Sequence, residues 1–408
     1  MAVARISRED WRSAAGQLVL FAMLVFGVTA HAVGLWASLQ RFESGTPVRP
    51  TTYVARFTEI AAAEGRPYRD VPIEYPPVSL GAIELVAGTN ANQTGANVVW
   101  FMALWDLVTV TALAFGWGRR AAVIYLLLTV PLLGFLFTTI DLISVALAVS
   151  AVALAVRGRE RLGGVAFAAA ILAKVWPLAL LPVLVLQRKG RALTWSVAAL
   201  ALGTLGWVWW GGPSGPLQVA TQRHTPGWEY ESVIGSILWA LGRGGFVGIN
   251  DSTRLGVAPG WAKALLLGVA IVGIAAVWYR ASRREPREIG LPAVAAVSIL
   301  MLSAPLLSPP YMLWLAPWAA IAWTERTGYV RWLLAALLVV SGLLFVSYMS
   351  ALPDVALWSV KALLLLRNAL LAAVPAVYLL ERGSAPTEDT AGGSGVETRL
   401  KISPSASS

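Results

Sequence analysis

GGVAFAAAILAKVWPLALLPVLVLQRKGR, residues 163–191, decides how this chain is read. Apart from Lys174 it is apolar from Gly163 to Leu186, enough to cross a bilayer once at ~20 residues per helix. Yet it starts after one basic cluster, Arg157, Arg159 and Arg161, and ends in another, Arg188, Lys189 and Arg191. A single crossing would put the two clusters on opposite faces, whereas Lys and Arg gather on the cytoplasmic side. Two half-spanning helices meeting near Lys174–Pro177 return both to one face, and Pro177 and Pro182 favour such a break.

Outward from this stretch the pattern repeats. The segment 290–323 is interrupted by APLLSPPYMLW, residues 304–314, which predicts a second broken passage. Non-helical backbone at membrane depth is tolerated where it lines a protein cavity, so two breaks point to an internal site. Apolar runs predict spans over 15–39, 95–117, 120–137, 141–156, 192–210, 261–280, 329–350 and 356–380. A piece over 76–88 is too short to cross and is expected at the outer interface. External loops are expected over 40–75 and 211–259.

Of the 408 residues, 57% are hydrophobic and 13% charged, against about a quarter charged in soluble domains. The expected fold is an all-α polytopic membrane bundle of roughly 10–12 transmembrane helices, some broken. One domain covers 1–382, and 383–408 reads as a disordered cytoplasmic tail. The leader is mixed in charge and the run after it too long for a cleaved signal. Both termini are expected in the cytoplasm of a plasma (inner) membrane, with a site facing outward. The net charge of +10 sits in clusters between apolar runs, so it reports topology, and nucleic acid is rejected as a partner.

Most external acids lie in the two long loops: Glu43, Glu59, Glu64, Asp70 and Glu74 in the first, Glu229, Glu231 and Asp251 in the second. Asp106, Asp141, Lys174, Lys361 and Arg367 fall in the membrane plane, where an ionisable side chain is expensive and by default functional. Lys174 is the sharpest case, at a break facing outward; Asp141 is a reserve candidate, and His31 and Asp106 are read as bonding within the bundle. Carboxylates and cations beneath an apolar roof suit transfer from a phosphate-activated lipid. The leaving phosphate needs positive charge and the attacking hydroxyl a carboxylate base. Glu229 and Glu231 could also share a divalent ion through oxygen ligands, although no metal or other cofactor is indicated.

Four stretches carry a resemblance. GRPYRDVPIEYPP, LAKVWPLALLP, GWEYESVIGSIL and LLSPPYMLWLAPW, in that order between residues 65 and 318, resemble motifs of glycosyltransferase family 87, polyprenyl-phosphate-dependent enzymes of the GT-C superfamily. The resemblance implies transfer of mannose or arabinofuranose, with inversion, from a polyprenyl-phosphate sugar to a glycolipid or glycan acceptor at the outer face. Asp70, Glu74 and Tyr75 would lie at the mouth of the site, and Lys174 would meet the donor phosphate. Glu231 and Ser232 would touch sugar or phosphate, and Arg223, His224 and Tyr311 are further binding candidates. The chain departs from the family where an early first-loop aspartate is expected, because PTTYVARFTEI, residues 50–60, carries no acid there. The base is then Asp70, Glu74 or Glu43, or the chain is a degenerate relative. Pro76 and Pro77 hold the preceding residues extended and start the next helix abruptly; in the alternative, the acids simply pair with Arg66 and Arg69. A lipid-linked sugar flippase and an envelope-assembly protein remain the rival classes.

Overall fold

The computed structural model describes residues 8–44, 52–221, 227–243, 246–249, 252–284, 288–349 and 355–381. Helices dominate. Among the described residues six are long and apolar enough to cross a membrane: Ala15–Glu43 within the first helix, Ala91–Trp117, Gly190–Gly211, Gly260–Ser282, Tyr329–Ser347 and Trp358–Leu380. A seventh passage is the pair Arg119–Leu128 and Val130–Leu136, bent by 42° where Pro131 enters the chain. These helices leave apolar side chains such as Leu202, Trp209, Val272 and Trp332 exposed, a surface that lipid covers and water would not tolerate. The remaining apolar helices, Pro77–Val86, Asp141–Val156, Trp176–Leu186 and Gly290–Leu302, are shorter, so six or seven full-length spans stand where 10–12 were expected.

Asp141–Val156 is the centre of the bundle and is buried on nearly every face. Glu160–Ala173 packs between it and Gly190–Gly211. Gly163 and Gly164 make the approach possible, because a Cβ would stand 2.7 Å from the Ala151 carbonyl at one and 2.5 Å from the Ala192 carbonyl at the other. Small residues let membrane helices close on one another in this way.

Both expected breaks are present. Glu160–Ala173 ends at Lys174, whose backbone is extended, and the chain continues as the 3₁₀ turn Trp176–Leu180 and the short helix Pro182–Leu186. Gly290–Leu302 gives way to the 3₁₀ turn Pro309–Trp314 and then to Ala316–Glu325. The short piece expected over 76–88 is the helix Pro77–Val86. Its Ser79 hydroxyl donates to the Ala173 carbonyl at 2.7 Å, satisfying an acceptor that the end of a helix leaves free.

Residues 40–75, expected as the first external loop, contain the helix Tyr53–Ala62. The second folds into Ser214–Thr221, Val233–Ala240 and a small antiparallel sheet of Trp228–Glu229, Ser252–Leu255 and Phe246–Ile249, with Ser252–Leu255 in the middle. Among the described residues that sheet and an isolated bridge between Pro67 and Val71 are the departures from helix, turn and loop. The tail expected to be disordered lies outside the described residues.

Candidate active site

The two breaks meet. Lys174, freed from helical geometry at the first, donates through Nζ to Asp141 Oδ1 at 2.5 Å. Asp141 opens its helix within the first turn, where the dipole favours a carboxylate. The same oxygen accepts from Trp314 Nε1, on the second break, at 2.6 Å. The Lys174 ammonium also lies 4.9 Å from the ring centre of Tyr311 and 5.1 Å from that of Trp314. Tyr311 stacks on Trp314 at 4.1 Å, and Trp176 stacks on its other neighbour side at 5.3 Å with a 7° interplanar angle. Trp176 Nε1 donates to Ser144 Oγ at 2.9 Å. A cation is thus held in an aromatic box with one carboxylate, its side chain 16% exposed.

The two long loops reach the same segment. Tyr53, at the start of the first-loop helix, shares a 2.9 Å hydrogen bond with Ser308 Oγ. Burial of that hydroxyl, with Tyr311 and the carboxylates of Glu229 and Asp141 nearby, pushes Tyr53 well above the usual phenol range, although part of its ring is exposed. From the second loop, the Glu229 amide donates to the Pro305 carbonyl at 3.0 Å, and its Oε2 accepts from the Leu307 amide at 2.6 Å. Burial first, and then the neighbouring Glu231 carboxylate, raise Glu229 to about 8, against the pull of the Leu307 amide, Arg254 and Arg367. Residues 305–314 are the hub on which both breaks and both loops converge.

The other sequence candidates lie as follows. Asp70 Oδ2 accepts from the Arg66 amide at 2.8 Å, closing its own turn. Glu74 takes two bonds from Arg56, at 3.2 and 3.1 Å, so its partner is neither Arg66 nor Arg69. Glu43, exposed at the end of the first helix, accepts from Gln40 at 3.2 Å. The Tyr75 ring packs edge-on against Phe57, and its carbonyl accepts from the Tyr68 hydroxyl at 2.6 Å. Ser232 caps Val233–Ala240, accepting from the Gly235 amide at 3.1 Å and donating to the Glu229 carbonyl at 2.7 Å. Glu231 is buried against Arg367 at 2.7 Å. Arg223 and His224 lie outside the described residues. Lys174 and Tyr311 are the two candidates that the fold brings into contact. Asp106 joins His31 at 2.8 Å and Tyr125 at 2.8 Å inside the bundle.

Among the described residues no three His, Asp or Glu side chains form a metal-binding group. Glu229 bonds the Leu307 amide and Glu231 the Arg367 guanidinium. Sequence reasoning missed Tyr53, Ser308 and Trp314, though all three stand in stretches already singled out. Tyr53 is in the stretch without the expected acid, and the other two are in the second break.

The sequence model of glycosyltransferase family 87 matches residues 75–309, more than half of the chain, from the end of the first loop through the Lys174 break and the second loop to the start of the second break. The chain belongs to glycosyltransferase family 87. The recognition drawn from the four motifs is thereby upheld, and the protein is a multi-pass membrane glycosyltransferase. No curated protein matches this family 87 chain in sequence. Among solved structures it resembles the crystal structure of ArnT from Cupriavidus metallidurans in the apo state, with 18% identity and a TM-score of 0.49 over 90% of this chain and 75% of that one.

Proposed function

We propose that this family 87 protein transfers mannose or arabinofuranose, with inversion, from a polyprenyl-phosphate sugar to a glycolipid or envelope glycan on the outer face of the membrane. Both termini then lie in the cytoplasm. The observation that carries the reading is Lys174, a largely enclosed cation at the meeting point of two broken helices, flanked by the rings of Tyr311 and Trp314. In the reaction, the acceptor hydroxyl oxygen bonds to the anomeric carbon as the carbon–oxygen bond to phosphate breaks. The electron pair leaves with polyprenyl phosphate, and the hydroxyl proton passes to a carboxylate. Lys174 meets the charge developing on phosphate, which is where a fixed cation lowers the barrier. Tyr311 and Trp314 offer faces on which a sugar ring stacks.

For the base, the geometry favours Glu229 over Asp70, Glu74 and Glu43. Asp70 and Glu74 are spent on the Arg66 amide and on Arg56. Glu43 is exposed on the first helix, and Glu229 shares its surroundings with Tyr53 and the hub. A carboxyl raised toward the working pH is suited to take a proton.

The test is a donor screen with purified protein. Each polyprenyl-phosphate sugar is offered with a membrane-lipid extract, and free polyprenyl phosphate and new glycolipid are followed by mass spectrometry. Turnover with one donor is expected, lowered about 10²-fold or more by Lys174→Met and by Glu229→Gln. Asp70→Asn and Glu74→Gln should stay near the parent rate. Folded protein that uses no donor would turn the reading toward a flippase or an assembly role.

A further inference from the structure

A second feature of the broken segment lies at its other end. Below the Lys174 break, Leu178, Leu181 and Val185 form one wall of an apolar groove of about 520 Å³, faced by Leu193 and Trp278. The volume is that of a small-molecule site, roughly 300–1,000 Å³. Trp278 belongs to Gly260–Ser282 and is tied to the break by its Nε1, which donates to the Ala179 carbonyl at 2.9 Å. The groove wall is therefore braced rather than a loose gap between helices.

Its end is closed by Arg188. Arg188 is exposed, and its side chain makes no hydrogen bond or ion pair with any described residue. The arginines beside Ser282 in sequence differ: Arg280 donates to the Tyr378 carbonyl and Arg284 to Glu381. Arg188 also has φ of 55°, a left-handed conformation that crowds the Cβ of a side-chain-bearing residue and that glycine adopts freely. An arginine kept where glycine is the easier residue, with its charge uncommitted beside an apolar slot, is a pairing of chain and charge.

We infer that this groove binds an anionic phospholipid, with one acyl chain along Leu178, Leu181 and Val185 and the phosphate at Arg188. The residues flanking Arg188, Lys189 and Arg191, add to the positive field, and a basic cluster at a membrane boundary draws anionic headgroups. The site is separate from that of the reaction. Five residues of 3₁₀ turn and five of α-helix lie between Lys174 and Arg188, about 18 Å of rise. A donor lipid with its phosphate at Lys174 would leave Arg188 unoccupied.

Native mass spectrometry of the full chain, with phosphatidylglycerol or phosphatidylcholine added to detergent-purified protein, tests this. Phosphatidylglycerol should be retained the more strongly, and Arg188→Gln should weaken it about five-fold, the worth of one basic residue near a surface. Val185→Trp should weaken it too by filling the slot. Arg188→Gly removes the charge and relieves the backbone, so it should unfold at a higher temperature than the parent while losing the lipid. Equal retention of both lipids, or full retention by Arg188→Gln, overturns the inference. So does polyprenyl phosphate displacing phosphatidylglycerol from the parent but not from Arg188→Gln, because the occupant would then be the donor.

Discussion

Lys174→Met removes the charge at the centre of the site while keeping most of the side-chain volume. Two unit charges 2.5 Å apart attract by roughly 7 kcal/mol at an effective dielectric of about 20. Desolvating a carboxylate and an ammonium costs several kcal/mol each, so the intact pair contributes little net stability. Removing one partner is different. Asp141 would remain buried with its charge met only by the Trp314 indole N–H, and an uncompensated buried charge costs about 3–5 kcal/mol. The apparent unfolding temperature in detergent should drop by about 5 °C or more. Adding Asp141→Asn neutralises the stranded carboxylate while its amide oxygen still accepts from Trp314, so the double variant should recover most of that loss. Turnover should not recover, because neither variant supplies a cation to phosphate. A single variant as stable as the parent, or a double variant no more stable than the single, would refute the assignment of a buried, mutually dependent pair. A double variant that regains turnover would refute the phosphate role.

Other expectations follow from the same geometry. Glu231→Leu leaves Arg367, fully buried, without its carboxylate and should cost about 3–5 kcal/mol, largely restored by Arg367→Met in the same chain; thermal unfolding reads both. Gly164→Ala sets a Cβ 2.5 Å from the Ala192 carbonyl, a backbone atom that cannot rotate away, and should cost about 1–3 kcal/mol by the same measurement. If Glu229 is the base, kcat/KM should rise with pH through about 8 as the carboxyl loses its proton, and a flat profile would remove it from that role. Stability runs the other way. The folded chain holds this proton more tightly than the unfolded one, so the contribution present below about pH 4.5 is lost as pH rises through about 8.

What was readable from sequence depended on how local its cause is. Hydropathy and the placement of arginines require only a count along the chain, and they located both breaks and the short Pro77–Val86 helix. Partners were less accessible. Asp70 and Glu74 sit beside Arg66 and Arg69 in sequence, which suggested local ion pairs. The fold instead turns Asp70 onto a backbone amide and brings Arg56, from a separate helix, to Glu74. Asp141 and Lys174 are 33 residues apart and Asp141 and Trp314 173 apart, and nothing in composition or spacing pairs them before the bundle closes. The small sheet escaped notice because its strands have at most four residues each, too few for an alternation to show.

The two breaks explain one another physically. A helix ending at membrane depth exposes carbonyls that lipid cannot satisfy, and here Ser79, from the helix that Pro77 starts, answers the Ala173 carbonyl. The extended residue that follows, Lys174, is free to aim its ammonium inward rather than along a helix face. It would be untenable there alone, and the second break supplies Tyr311 and Trp314 over it while Trp314 holds the Asp141 oxygen that Lys174 needs. Neither interruption could be mended to a continuous helix without stranding a charge or a carbonyl of the other. The pair therefore behaves as one device, and the loops that dock on residues 305–308 through Tyr53 and Glu229 rest on a hub whose geometry both breaks define.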